Sequence, residues 1–146
     1  MKIENKNFFG TLSKSELSDF EKANKIELPS DYKYFLLGSN GGVPAPNKNT
    51  SPETIVTYML GMHNGDYYAS LYKHISLFMS RLPFSTFPIA TDPFGNLFIM
   101  SLHLESYGYV YFWEHEGEPE MQDGHYTDNC HFVAHSFSEF VNSLIA

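Results

Sequence analysis

The sequence predicts an α+β fold in a single domain spanning residues 1–146, and three observations carry that expectation. Apolar residues recur at helical spacing behind capping residues near both ends of the chain. Three apolar and aromatic runs with short connections occupy residues 87–115, the pattern of an antiparallel meander. The length lies in the ordinary single-domain range, where a chain buries roughly two thirds of its unfolded surface.

The elements follow in order. Ser13, with Glu16 three residues later, fits a capping box, and Leu17, Phe20 and Ala23 give the first helix an apolar face. In LPSDYKYFLLGSNGG, Pro29 and Ser30 start a second helix with Tyr32, Phe35 and Leu36 inward. Asn40-Gly41-Gly42 ends it, because glycine accepts the left-handed backbone needed past a helix terminus. Val43 to Pro52 reads as an exposed loop, Glu53 to Met62 as a strand, and Tyr67 to Arg81 as a helix with Leu71, His74 or Ile75, and Phe78 on one side. The meander strands are Phe87 to Ala90, Leu97 to Leu102 and Tyr107 to His115. Leu97 to Leu102 is apolar at nearly every position, which predicts a central strand buried on both faces. Tyr109, Tyr111 and Trp113 share one face of the next strand, with Val110 and Phe112 on the other. Ser136 or Ser138 caps a final helix carrying Phe137, Phe140, Val141 and Leu144 inward.

Composition narrows the function. Thirteen Phe, ten Tyr and one Trp predict an aromatic core. No apolar run approaches the roughly 20 residues of a membrane span, MKIENKNFFG lacks the apolar segment of a signal peptide, and a lone Cys130 excludes an internal disulfide. A cytoplasmic protein without membrane contact is the expectation. Residues 1–81 hold nine Lys and Arg against eight Asp and Glu, whereas residues 82–146 hold nine acids and no Lys or Arg. Direct nucleic-acid binding needs a clustered basic footprint, so a basic protein partner is expected instead.

In TDPFGNLFIMSL, Asp92-Pro93-Phe94-Gly95 matches a type I turn position by position, and Asn96 also tolerates left-handed backbone. The loop is therefore expected to turn the chain rather than to present a catalytic acid.

Four blocks, LPSDYKYFLLGSNGG, FPIATDPFGNLFIMSL, YGYVYFWEHE and VAHSFSEFVNSLI, resemble in order the conserved blocks of the SUKH superfamily, which holds the Smi/Knr-type fungal cell-wall regulators and many bacterial immunity proteins. The likeness runs from about Leu12 to Ile145. It implies a single α+β domain with a curved antiparallel sheet packed by helices, in which Pro29, Asn40, Gly41, Gly42, Asp92, Gly95, Asn96, Gly108 and Trp113 are fold determinants rather than catalytic groups. It also implies a non-catalytic protein that neutralises a cognate toxin, often a nuclease or deaminase. Fungal members carry long extensions absent from these residues, which directs the expectation to the bacterial group.

Within that resemblance, the acidic segment EHEGEPEMQDGHYTD is the partner-binding candidate: Glu114, Glu116, Glu118, Glu120, Asp123 and Asp128, helped by Glu105. Its bland alternative is a solvated loop that aids solubility. Docked against the positive surface that a nuclease toxin presents to phosphates, it would block substrate and speed capture by roughly ten- to a thousandfold at low salt.

His115, His125, His131 and His135, with Asp128 and Cys130, offer metal-ligand chemistry, but His131 and His135 form a metal pair only on a helix, and no H-E-x-x-H or paired C-x-x-C is present. No metal, cofactor or catalytic residue is expected, and Cys130 reads as an inert thiol because neighbouring strand residues face opposite ways. The expected protein is an immunity protein, monomeric or homodimeric, masking a basic toxin domain. A regulatory interaction module and a small metal-dependent hydrolase using the late histidines are the alternatives.

Overall fold

A computed structural model describes residues 2–117 and 129–146. The element order is β1 (Lys2–Glu4), α1 (Lys14–Asn24), α2 (Ser30–Ser39), β2 (Val43–Ala45), β3 (Lys48–Thr50), β4 (Glu53–Ile55), β5 (Tyr58–Met59), α3 (Leu71–Phe78), β6 (Thr86–Thr91), β7 (Leu97–Ser101), β8 (Val110–Trp113), β9 (Cys130–Ala134) and α4 (Phe137–Ser143). Short 3-10 turns precede α3, join β7 to β8 and follow β8. The main sheet is a five-stranded antiparallel meander in the order β5-β6-β7-β8-β9, and β1-β2 and β3-β4 form two-stranded ribbons. This is the α+β class expected. No helix among the described residues is long and apolar enough to cross a membrane.

The central strand explains the layering. Phe98 and Met100 of β7 point into the larger core, where they meet Leu17 of α1, Tyr32 and Leu36 of α2, and Phe137 and Phe140 of α4. Leu97 and Ile99 point the other way and pack with Trp113 and Leu82, with Phe78 and Cys130 at the margin. Every residue of β7 is buried, so its continuous apolar run is what a strand sandwiched on both faces requires.

The helices begin as their sequence demands. Ser13 Oγ accepts from the Glu16 amide at 3.1 Å while Glu16 Oε1 accepts from the Ser13 amide at 3.1 Å, which completes the capping box. Ser136 caps α4, accepting from the Glu139 amide at 3.0 Å. Ser138 is used differently: its amide and hydroxyl both donate to Asp31 Oδ2, at 2.9 and 3.0 Å, which ties α4 to α2.

Several expectations need correction. Ala23 is exposed, because α1 turns positions 17, 20 and 21 inward; Glu21 takes the third place, accepting from the Leu28 amide and pairing with Lys33 at 3.4 Å. Val43 to Pro52 is not a loop: β2 pairs with the N-terminal β1, and β3 pairs with β4. Glu53 to Met62 is not one strand, since β4 and β5 belong to different sheets. The helix expected at Tyr67 begins as a 3-10 turn and becomes α-helical only at Leu71, behind a Ser70 cap. Regular β8 spans only Val110–Trp113 of the run Tyr107 to His115. The left-handed residue after α2 is Asn40 itself, at φ 42°, with Gly41 and Gly42 following at 91° and 134°.

Asn40 holds that position with its side chain. The amide nitrogen donates to Gly10 O at 3.1 Å and to Met62 O at 3.2 Å, and Oδ1 accepts from the Met62 amide at 2.8 Å. A Cβ at Gly42 would meet the Glu4 carbonyl at 2.7 Å and the Ile3 side chain, so the tight approach of β1 needs glycine there.

Candidate functional site

Antiparallel register brings two distant stretches to one end of the sheet. Thr91 pairs with Leu97, Leu97 with Trp113, and Trp113 with Cys130. The turn after β6 and the residues after β8 are therefore neighbours. At this end Phe94, Asn96, Glu114, His115 and Glu116 line an open hollow of about 350 Å³.

Asp92 builds the turn. It is buried; Oδ1 accepts from the amides of Phe94 and Asn96, both at 2.9 Å, and Oδ2 accepts from Asn96 Nδ2 at 3.1 Å and Thr54 Oγ1 at 3.0 Å. Gly95, at φ 85°, brings the chain back toward β7. Asn96 Oδ1 then accepts from the His115 amide at 3.1 Å, and His115 Nε2 lies 2.9 Å from the Phe94 carbonyl, so this ring nitrogen is the one that donates. The turn and the post-β8 segment are thus stitched together by the turn's own polar groups.

What this places at the surface is Phe94, 74% exposed at the tip of the turn. Glu114 and Glu116 line the same hollow. Glu114 is positioned through its backbone, which donates to Asn129 O at 2.9 Å and accepts from Asn129 Nδ2 at 2.9 Å. Its carboxylate meets His131 Nε2 at 3.0 Å. Among the described residues the arrangement sets an exposed aromatic ring beside carboxylates.

A model of the SMI1 / KNR4 family (SUKH-1) matches residues 11–143. The chain belongs to the SMI1/KNR4 family. Proteins of this SUKH-1 group are commonly immunity proteins, are generally non-catalytic and work through other proteins. The comparison with curated proteins finds no match.

On the SUKH framework the expected site residues divide. Glu114 and Glu116 come together, whereas Glu105 lies in the β7–β8 connection at the opposite end of β8. The reason is strand direction: β8 carries the chain away from Glu105 before it reaches Glu114. Glu118, Glu120, Asp123 and Asp128 lie outside the described residues. Of the other acids in this half, Asp92 is consumed inside its turn and Glu139 pairs with His135 at 3.0 Å.

The late histidines of this SUKH chain separate as well. His115 joins the Phe94 turn, His131 pairs with Glu114, and His135 pairs with Glu139. His125 lies outside the described residues, and among the described residues no three His, Cys, Asp or Glu groups gather as a metal would require. Cys130 packs beside Trp113, and burial pushes its thiol up to about 12.

Phe94 is the residue that sequence reasoning missed. A turn position favours small or polar side chains, so a phenylalanine there was itself the signal. The remaining family-block residues lie in the framework: Pro29 precedes α2 with its ring against Gly108, and Trp113 is fully buried under the sheet's second face.

Proposed function

We propose that this SUKH chain is an immunity-type binding protein that covers the active-site surface of a basic toxin domain, of nuclease or deaminase type. The observation that supports this most directly is the pairing of exposed Phe94 with Glu114 and Glu116 around one hollow, in the half of the chain that has no Lys or Arg. A nuclease or deaminase acting on nucleic acid presents cationic surface to phosphates, and carboxylates compete for it. The aromatic knob supplies the desolvated anchor that charge alone does not, and the charges supply encounter rate. Glu105 would contribute only to a partner wide enough to reach both ends of β8.

The test is co-expression with the product of the neighbouring gene, scored for its toxicity alone and for rescue of growth, together with association and dissociation rates for the purified pair. Wild-type chain is expected to rescue. Glu116→Gln is expected to slow association in a salt-dependent manner, and Phe94→Ala to speed dissociation. No rescue by wild type would overturn the immunity role and leave a regulatory interaction module in its place. Full rescue with unchanged rates in a variant carrying both Glu116→Gln and Phe94→Ala would overturn this surface as the interface.

A further inference from the structure

The outer face of the sheet carries a second aromatic cluster, away from the Phe94 hollow. Tyr109, Tyr111 and Trp113 alternate along β8 and its approach; the Ser101 amide donates to Tyr109 O at 2.9 Å, so Tyr109 continues the register. At the Trp113 end the chain supplies its own cation. The Arg81 guanidinium carbon lies 5.1 Å from the Phe78 ring centre and 5.2 Å from that of Trp113, and these two rings cross at 75°. A guanidinium resting against two steeply crossed rings is thus a motif that this sheet face already uses.

At the Tyr109 end the same geometry recurs with three rings. Tyr109 and Phe132 cross at 70° with centroids 5.8 Å apart, Tyr109 and His135 at 83° and 5.2 Å, and Phe132 and His135 at 64° and 4.8 Å. Three rings so inclined form the walls of a corner. It opens to solvent: Phe132 is 46% exposed, and the His135 side chain 63%. Glu139, on the first turn of α4, accepts from the backbone amide of His135 and lies 3.0 Å from its Nδ1, so a carboxylate stands at the rim. Those hydrogen bonds lower the Glu139 carboxyl below its ordinary range and keep it charged.

We propose that the Tyr109–Phe132–His135 corner, with Glu139 at its rim, receives an arginine side chain from a basic protein partner. The chemistry selects the occupant. Aromatic faces attract cations, a planar guanidinium stacks on them better than an ammonium does, and a carboxylate takes its N–H groups. An apolar side chain would gain the ring contacts but none of the charge attraction of the nearby carboxylate. This deepens the binding reading above and rests on it for the kind of partner, but it occupies different residues and is measured without the toxin.

The experiment is a nuclear magnetic resonance titration of the full chain with acetyl-Gly-Arg-Gly-amide and with its neutral citrulline analogue. The arginine peptide is expected to shift resonances of Tyr109, Phe132, His135 and Glu139, and to bind roughly two- to fivefold more tightly than the citrulline peptide. Phe132→Leu, which keeps apolar bulk at an exposed edge-strand position, should remove that preference; Phe132→Tyr should retain it. Equal shifts from both peptides, or a preference that survives Phe132→Leu, would overturn the proposal. Arginine-specific shifts confined to Phe94, Glu114 and Glu116 would overturn it while sparing the interface proposed above. Shifts at the corner, combined with unchanged toxin rates for Glu116→Gln and Phe94→Ala, would support the corner and remove the other surface.

Discussion

Replacing Asp92 by alanine removes one carboxylate and four hydrogen bonds at once: those from the Phe94 and Asn96 amides, the Asn96 side chain and the Thr54 hydroxyl. A hydrogen bond to a charged group contributes about 1.5–3 kcal/mol, but these four share one acceptor and water can reach part of the opened turn. A loss of about 3–4 kcal/mol follows. Asp92→Asn keeps an oxygen for the two backbone amides but sets an NH2 against the Asn96 side-chain NH2, losing that bond while the Thr54 hydroxyl can turn to accept, so a loss of about 1–2 kcal/mol is expected. The single tryptophan, Trp113, is buried and reports unfolding directly by fluorescence in urea. At roughly 2–4 °C per kcal/mol for a domain near this size, the alanine variant should melt roughly 6–16 °C below wild type. The order wild type, then Asn, then Ala is the essential outcome. An alanine variant within about 1 kcal/mol of wild type would refute the view that this carboxylate organises the turn, and with it the account of how Phe94 and His115 are held.

Two further outcomes concern titrating groups. Burial holds the His74 imidazole below its ordinary value: it is stacked between Tyr67 and Phe78, with Nδ1 2.9 Å from the Ser70 carbonyl. A histidine depressed in the folded state binds its proton more readily when unfolded, so its contribution is complete above the unfolded value, about 6.5, and is lost as pH falls below it. Urea unfolding at pH 7.5 and 5.5 should show a smaller loss on acidification for His74→Gln than for wild type, and an equal loss in both would contradict the assignment. For Cys130, a thiol raised from 9.0 to about 12 carries on the order of a thousandfold less thiolate near pH 8 than an unperturbed one. Alkylation by iodoacetamide should be slower than in the urea-unfolded chain by that order, whereas comparable rates would show Cys130 to be accessible and ionised.

The family link, the toxin-binding reading and the cation corner stand on different observations. The first rests on residues 11–143 matching a family model, the second on the hollow at one sheet end, and the third on ring geometry at the other. The assays above separate them for that reason.

Local chemistry was legible in the sequence by itself. Ser13 and Glu16 named their capping box, the apolar run from Leu97 named the doubly buried strand, and Asp92-Pro93-Phe94-Gly95 named its turn, because each signal is complete within a few neighbouring residues. Pairing between distant segments was not legible. Nothing near Val43 announces that Lys2–Glu4 will pair with it, and no local pattern marks Ala23 as facing solvent. The candidate surfaces belong to this second kind. Strand direction set Glu105 apart from Glu114, the register of β6 through β9 carried Phe94 to the carboxylates, and the corner formed only because β9 laid Phe132 and His135 against Tyr109. A short stretch of chain fixes its own hydrogen bonds and φ angles, but which side chains share a surface depends on contacts between segments far apart in sequence, and those exist only once the sheet has closed.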